Sequence, residues 1–320
     1  MDFHLLLDNL TNPALLFFFL GIIAVRLKSD LEIPANSSKF ISLYLLFSIG
    51  FKGGQELAHS HLDFSLLWSL VFGILLAAII PVYTFFILKN RFNIYNASAV
   101  AAAYGSVSAV TFVTAISFLE LQDITFDGHM VAVMALMEAP SIIVGVFLLS
   151  ACKKDKSKVN YGGILKHAFT NGSVLLILGC LLIGFLASEK QAAGIKPFTT
   201  DIFKGFLAIF LLDMGISSGK KLQSFFEKGW FPFVFAIVIP AINGVVVAII
   251  SQWVTPEVGN RFIYAILAAS ASYIAVPAAM QLVNPKSNPS LYLPMALGIT
   301  FPFNITLGMP LYMAVIMATG

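Results

Sequence analysis

The chain carries little charge. Asp, Glu, Lys and Arg make up 11% of its 320 residues, while 58% are hydrophobic. An ordinary soluble domain is about 25% charged and about 45–50% apolar. So few polar groups cannot clothe a soluble enzyme, and a chain this apolar is not disordered either. Two cysteines, Cys152 and Cys180, are too few for a disulfide framework and lack metal-ligand spacing. There is no basic stripe with interleaved aromatics, which removes nucleic-acid binding. No catalytic triad, metal cluster or phosphate loop supports an enzyme. Residues 1–12 hold Asp2 and Asp8 but no Lys or Arg, the wrong sign for a signal peptide. One H-x-H pair, His59 and His61, is a weak metal signal and reads as solvated loop.

What the chain has is long charge-free runs: 64–88, 92–119, 168–188, 229–256, 262–285 and 287–320. A helix of about 20 apolar residues spans a bilayer. Ten segments follow, roughly 12–27, 38–57, 64–88, 94–119, 129–150, 170–188, 200–220, 229–253, 260–284 and 290–317. The expected fold is an all-α polytopic membrane protein of about ten transmembrane helices. With the N-terminus outside, the inner loops receive 14 Lys and Arg and the outer ones 5. Cations concentrate on the cytoplasmic side. Both termini are therefore expected outside, and the lysines at 153–158 in the cytoplasm.

That lysine cluster divides the chain into a first five-helix repeat (1–150), a linker (151–164) and a second repeat (165–320). Five is odd, so duplicated halves would be inverted. Gly21 matches Gly179. Gly50, Gly54 and Leu57 match Gly215, Gly219 and Leu222. Ala99, Ala102, Ala103, Ser106, Ala109 and Val110 match Ala265, Ala268, Ala269, Ser272, Ala275 and Val276, and Pro140 matches Pro302. Inverted repeats imply a secondary transporter working by alternating access.

The fourth span packs glycine and hydroxyls into Gly105–Thr111, and its counterpart in the ninth places Pro277 opposite Thr111. Glycine and serine weaken a helix, and proline removes an amide donor. Matched interruptions point to a transport site near the midplane, with half-helix N-termini suited to a small anion. Small-residue helix packing uses the same residues. Glu138 and Asp213 lie inside apolar spans, where a carboxylate is costly unless paired, hydrated or cation-bound. Glu138 reads as a cation ligand or proton carrier, with Thr300 and Asn304 offering oxygens beside Pro302. Asp213 reads as a helix-end or interhelical bond, and Lys52 with Glu56 as an i,i+4 ion pair.

The order GSVSAVTF, MEAPS, ASASYIAVP, NPKSNPSLYLPMALGITFP and LGMPLY resembles the sodium-dependent bicarbonate transporters first described in cyanobacteria, the SbtA-like family; so does IGFKGGQEL in the second span. The resemblance runs over nearly the whole chain. It implies two inverted five-helix repeats whose broken helices cross, usually a homotrimer, in the bacterial inner membrane. It implies symport of bicarbonate with sodium as coupling ion, and no other cofactor. Another small anion or monocarboxylate, proton coupling, or a non-transporting receptor or scaffold are the alternatives. The expected substrate residues are Gly105, Ser106, Ser108, Thr111, Ser270 and Ser272, of which the resemblance implies Ser108, Thr111, Ser270 and Ser272; the expected cation residues are Glu138, Ser108, Thr300 and Asn304, of which it implies Glu138 as the acid. A PII-like cytoplasmic regulator is a further implied partner. The chain departs from the family pattern at Ala109 and Val110, and at Ala271, Tyr273, Ala275 and Val276, where the family has more polar residues. These departures imply a less polar site with fewer donors.

Overall fold

The structure is a computed structural model that describes residues 9–59, 64–153, 162, 163, 166, 170–225 and 229–319, with backbone alone at 64, 65, 222–225, 278, 281 and 282. His61, the lysines at 154–158 and most of the 151–164 linker lie outside these residues. Among the described residues all regular structure is helical. Six stretches are long and apolar enough to cross a membrane: 66–88, 94–121, 129–152, 189–221, 230–253 and 289–319. Three shorter helices are also apolar.

In chain order the helices are α1 (Pro13–Arg26), α2 (Ala35–His59), α3 (Phe64–Leu88), α4 (Ile94–Gly105), α5 (Ala109–Leu121) and α6 (His129–Cys152). There follow α7 (Gly172–Leu186), α8 (Glu189–Lys196), α9 (Phe203–Phe225), α10 (Trp230–Ile250), α11 (Val258–Ala269), α12 (Ala275–Val283) and α13 (Pro289–Thr319). The starts are set by side chains that accept the orphan amides of a first turn. Asn12 accepts from the Ala14 amide, Asn93 from Asn96 and Asn171 from Ser173. Ser188 and Gln191 close a capping box on α8. α13 contains two π-helical stretches, Pro294–Thr300 and Asn304–Gly308, on either side of Pro302. α6, by contrast, runs unbroken through Pro140.

Burial sorts the helices into layers. Every residue from Ala97 to Gly105 and from Gly259 to Ala269 is buried, so α4 and α11 are central. α3, α7 and α10 turn large apolar side chains outward, such as Trp68, Ile79, Leu182, Leu186 and Ile242. In a membrane those faces meet lipid. Arg261, counted from the sequence among the outer-loop cations, lies inside α11 and is buried. It donates to the Ala248 carbonyl at 2.9 Å and to Thr319 at 2.6 Å.

Two pairs of helices cross backbone to backbone. α1 meets α9 at Gly21 and Gly215, where a Cβ added to Gly21 would stand 2.7 Å from the Ile216 amide. α2 meets α7 at Gly54 and Gly184, where a Cβ on Gly54 would stand 2.9 Å from the Gly184 Cα. Each crossing joins one half of the chain to the other. Gly179, which matches Gly21 in sequence, faces open space.

The ion pair expected within α2 is not the one formed. Lys52 reaches across to Glu120 Oε1 at 3.3 Å, and Lys204 meets Glu120 Oε2 at 3.5 Å. Glu120 ends α5 with a carboxylate that two lysines, one on each half, can share. That pairing outcompetes the local i,i+4 geometry, which is worth only about 0.2–0.5 kcal/mol.

Candidate functional site

Both interruptions read from the sequence are breaks in the backbone. α4 ends at Gly105, and Ser106 and Ser108 are extended (φ −89°, ψ 179°; φ −105°, ψ 110°) before α5 begins at Ala109. α11 ends at Ala269, Ser270 is extended (φ −83°, ψ 170°), and α12 begins at Ala275. The starts of α5 and α12 stand at the same offset as the matched Ala and Ser positions.

The two breaks touch. The Ser272 amide donates to the Ala103 carbonyl at 2.8 Å. The Ser108 amide donates to Ser270 Oγ at 3.1 Å, and Ser270 Oγ donates to the Leu267 carbonyl at 2.9 Å. The carbonyls that end the two half-helices are also taken. Ser141 donates to Ala102 at 2.6 Å, Asn243 to Ala268 at 3.1 Å and Asn304 to Ala269 at 2.7 Å. The C-terminal ends are thus neutralised by side chains, while α5 and α12 aim amide ends into the crossing.

The serines differ in how far they are committed. Ser108 Oγ accepts from the Thr111 amide at 3.2 Å and Ser272 Oγ from the Val276 amide at 3.3 Å; each caps its own half-helix. Ser106, the sequence counterpart of Ser272, is 1% exposed, and its hydroxyl has no partner among the described residues. The Ala109 and Val110 amides, orphaned by position in a first turn, also meet no acceptor among them. Among the described residues the first break therefore leaves a hydroxyl and the Ala109 and Val110 amides without partners. Thr111 is buried one turn into α5. Gly105 is required sterically, because a Cβ there would stand 2.7 Å from Ser141 Oγ.

Glu138 lies three residues, nearly one turn, before Ser141 on α6. α6 runs antiparallel to α4, with Gly145 against Ser98 and Ala102, and Ser141 against Ala102 and Gly105. Glu138 is thereby at the level of the first break. The outward stripe of α6 carries Leu136, Pro140, Ile143 and Phe147. Glu138 is on the opposite side, half-buried, with neither a hydrogen bond nor an ion pair among the described residues.

The other oxygens expected beside it are occupied. Thr300 donates to the Ala236 carbonyl at 2.7 Å and stands 2.8 Å from the Tyr104 hydroxyl. Asn304 Oδ1 accepts from Tyr312 at 3.1 Å while its amide holds Ala269. Asn243, which the sequence reading did not single out, holds the end of α11 and accepts from Tyr83. A lone amide inside an apolar span was the available signal.

A cavity of about 510 Å³ opens on the side of Glu32, Lys39 and Lys220 and reaches Tyr273 and Ile274 at the second break. Asp213, in its wall, accepts from Ser38 across α2 and α9. On the opposite side lie a cavity of about 130 Å³, walled by Lys52, Glu56 and Glu120 and extending to Ile116, and one of about 470 Å³ between Lys52, Glu120, Thr200 and Lys204. The wide cavity on the first side is lined by residues of the second break, and these two are not.

A comparison with curated proteins finds no match. The ordered small-residue motifs, the crossed half-helices and the apolar helices have one explanation in common. Over residues 13–317 the chain matches the Na+-dependent bicarbonate transporter superfamily, and it belongs to that family of integral membrane transporters.

Proposed function

We propose that the protein is a sodium-coupled symporter that imports a small monovalent oxyanion of the bicarbonate class across the bacterial inner membrane. The observation that carries this reading is the first break. Its unpaired Ser106 hydroxyl and free amides at the start of α5 lie at the level of an unpaired carboxylate, Glu138. An oxyanion is stabilised by amides and hydroxyls at a helix N-terminus. A hard cation takes carboxylate and hydroxyl oxygens. The two charges would then offset each other at membrane depth.

Two inverted five-helix repeats, 1–150 and 165–320, ten crossings and both termini outside belong to the same reading, as does a homotrimer. The equal offsets of the breaks and the glycine crossings between halves support it. A wide cavity that reaches the second break from one side is what one state of alternating access requires. The wide cavity would face the cytoplasm, where Lys39 and Lys220 fall under the cation asymmetry. A PII-like regulator on that face is carried over from the family resemblance alone.

Uptake of labelled bicarbonate into proteoliposomes, with and without an inward sodium gradient, tests the function. Gradient-driven accumulation is expected; equal flux in both would remove sodium coupling. Topology has a separate test on a Cys152→Ser background. Thr125→Cys is expected to react with an impermeant maleimide on intact cells and Lys156→Cys is not; the reverse pattern would invert the orientation.

The serines should divide. Ser272→Ala removes a cap, which costs about 0.5–2 kcal/mol of stability, and should lower the melting temperature. Ser106→Ala removes no internal hydrogen bond. It should leave melting unchanged and weaken anion affinity roughly tenfold to hundredfold, the worth of about 1.5–3 kcal/mol for a hydrogen bond to a charge. Unchanged affinity would return Ser106 to a packing role.

A further inference from the structure

We propose that the wide cavity selects a monocarboxylate with a short apolar tail over bicarbonate. The proposal rests on the sodium-coupled anion reading above and narrows its substrate. Bicarbonate has four heavy atoms and wants three polar partners, donors for two of its oxygens and an acceptor for its hydroxyl. The deep end of the cavity, where it meets the second break, offers few. Tyr273 and Ile274 stand there, faced by Phe210, Met214 and Leu297. The Tyr273 hydroxyl is shared between the Met214 sulfur at 3.8 Å and the Ser108 side chain. Ile274 is 48% exposed although it sits at the start of a half-helix in the centre of the protein. An apolar side chain bared at that place is an apolar contact waiting for a ligand.

The mouth has the opposite character. Lys39 and Lys220 outnumber Glu32 there, and the acid deeper in the wall, Asp213, is tied to Ser38. The cavity thus draws an anion in at the rim and presents hydrocarbon further on. At about 510 Å³ it is far larger than bicarbonate needs. A carboxylate keeps the two oxygens that amides and hydroxyls can satisfy, and its tail covers Ile274, Met214 and Phe210. Charge and apolar surface are then matched at the same time, which bicarbonate cannot do.

The test is a chain-length series on the full-length protein in lipid nanodiscs with sodium present, reading the affinities of bicarbonate, acetate, propionate and butyrate. Each methylene taken out of water is worth about 0.8 kcal/mol, so affinity should rise about fourfold per carbon from acetate to butyrate. Butyrate should bind at least tenfold more tightly than bicarbonate. Ile274→Ser should flatten the series while leaving its sodium dependence in place. A flat series, or bicarbonate as the tightest ligand with sodium dependence intact, overturns the substrate inference alone. If none of the four anions binds in a sodium-dependent way, the transport reading fails together with it.

Discussion

Replacing Glu138 by glutamine is expected to abolish sodium-dependent transport while the protein still folds. The carboxylate is half-buried on the inward side of α6, with no cationic or hydrogen-bonding partner among the described residues. A bare carboxylate at membrane depth costs several kcal/mol. Sodium would remove that cost by supplying the missing charge. Glutamine keeps the size and one carbonyl oxygen but not the charge. Removing one member of a buried charge pair costs about 3–5 kcal/mol, so sodium affinity should fall roughly two to nearly four orders of magnitude. Folding should survive, because a neutral amide is cheaper to bury than an unpaired carboxylate.

Linkage supplies the measurement. If sodium raises anion affinity, the anion raises sodium affinity by the same factor. Anion titrations at high and near-zero sodium, in wild type and Glu138→Gln, should differ strongly in the first and agree in the second. A wild-type affinity that ignores sodium but follows pH would make Glu138 a proton carrier. Sodium dependence that persists in the variant would remove Glu138 from the site.

The breaks were legible because their cause is local. Gly105, Ser106 and Ser108 weaken a helix in any context, and Pro277 has no amide hydrogen to donate wherever it stands. The matching offset then placed one break from the other. The roles within the breaks depend on backbone angles and long-range partners, which no residue type reveals. Ser108, expected at the substrate and the cation, turned out to cap α5 through the Thr111 amide, and the identity of the serine left free emerged only from the fold. Thr300 and Asn304 have the right oxygens, but Ala236, Tyr104, Ala269 and Tyr312 had claimed them. Lys52 chose Glu120 over Glu56 because the chain brought a third group, Lys204, to the same carboxylate. Asp213 met the expectation of an interhelical bond, its partner Ser38 lying on α2.

A leucine in place of Gly215 is expected to prevent accumulation of folded protein, whereas Gly179→Ala should be neutral or slightly stabilising. Sequence matching ranked these glycines alike, since each has a counterpart in the first half. Their surroundings differ. A Cβ on Gly215 would collide with the Phe18 carbonyl oxygen and stand 2.9 Å from the Phe18 carbonyl carbon and 3.2 Å from the Gly21 Cα. All three are backbone atoms, so no side chain can turn aside; α1 and α9 must move apart. Overpacking a well-filled site costs typically about 1–3 kcal/mol, occasionally more, where neighbours can adjust. Here they cannot, and a leucine adds three further carbons. Separation would also pull Phe18 from Phe301 on α13, whose rings lie 5.6 Å apart, and so loosen the seam between the α1–α9 pair and the helices that carry the breaks. Gly179 has nothing within 4 Å of its added Cβ, and alanine there recovers about 0.5–1 kcal/mol of helix propensity. Detergent-extracted protein, read by fluorescence-detected size exclusion and thermal melting, distinguishes the two. A monodisperse Gly215→Leu peak with wild-type melting would mean that α1 and α9 do not cross where the structure places them.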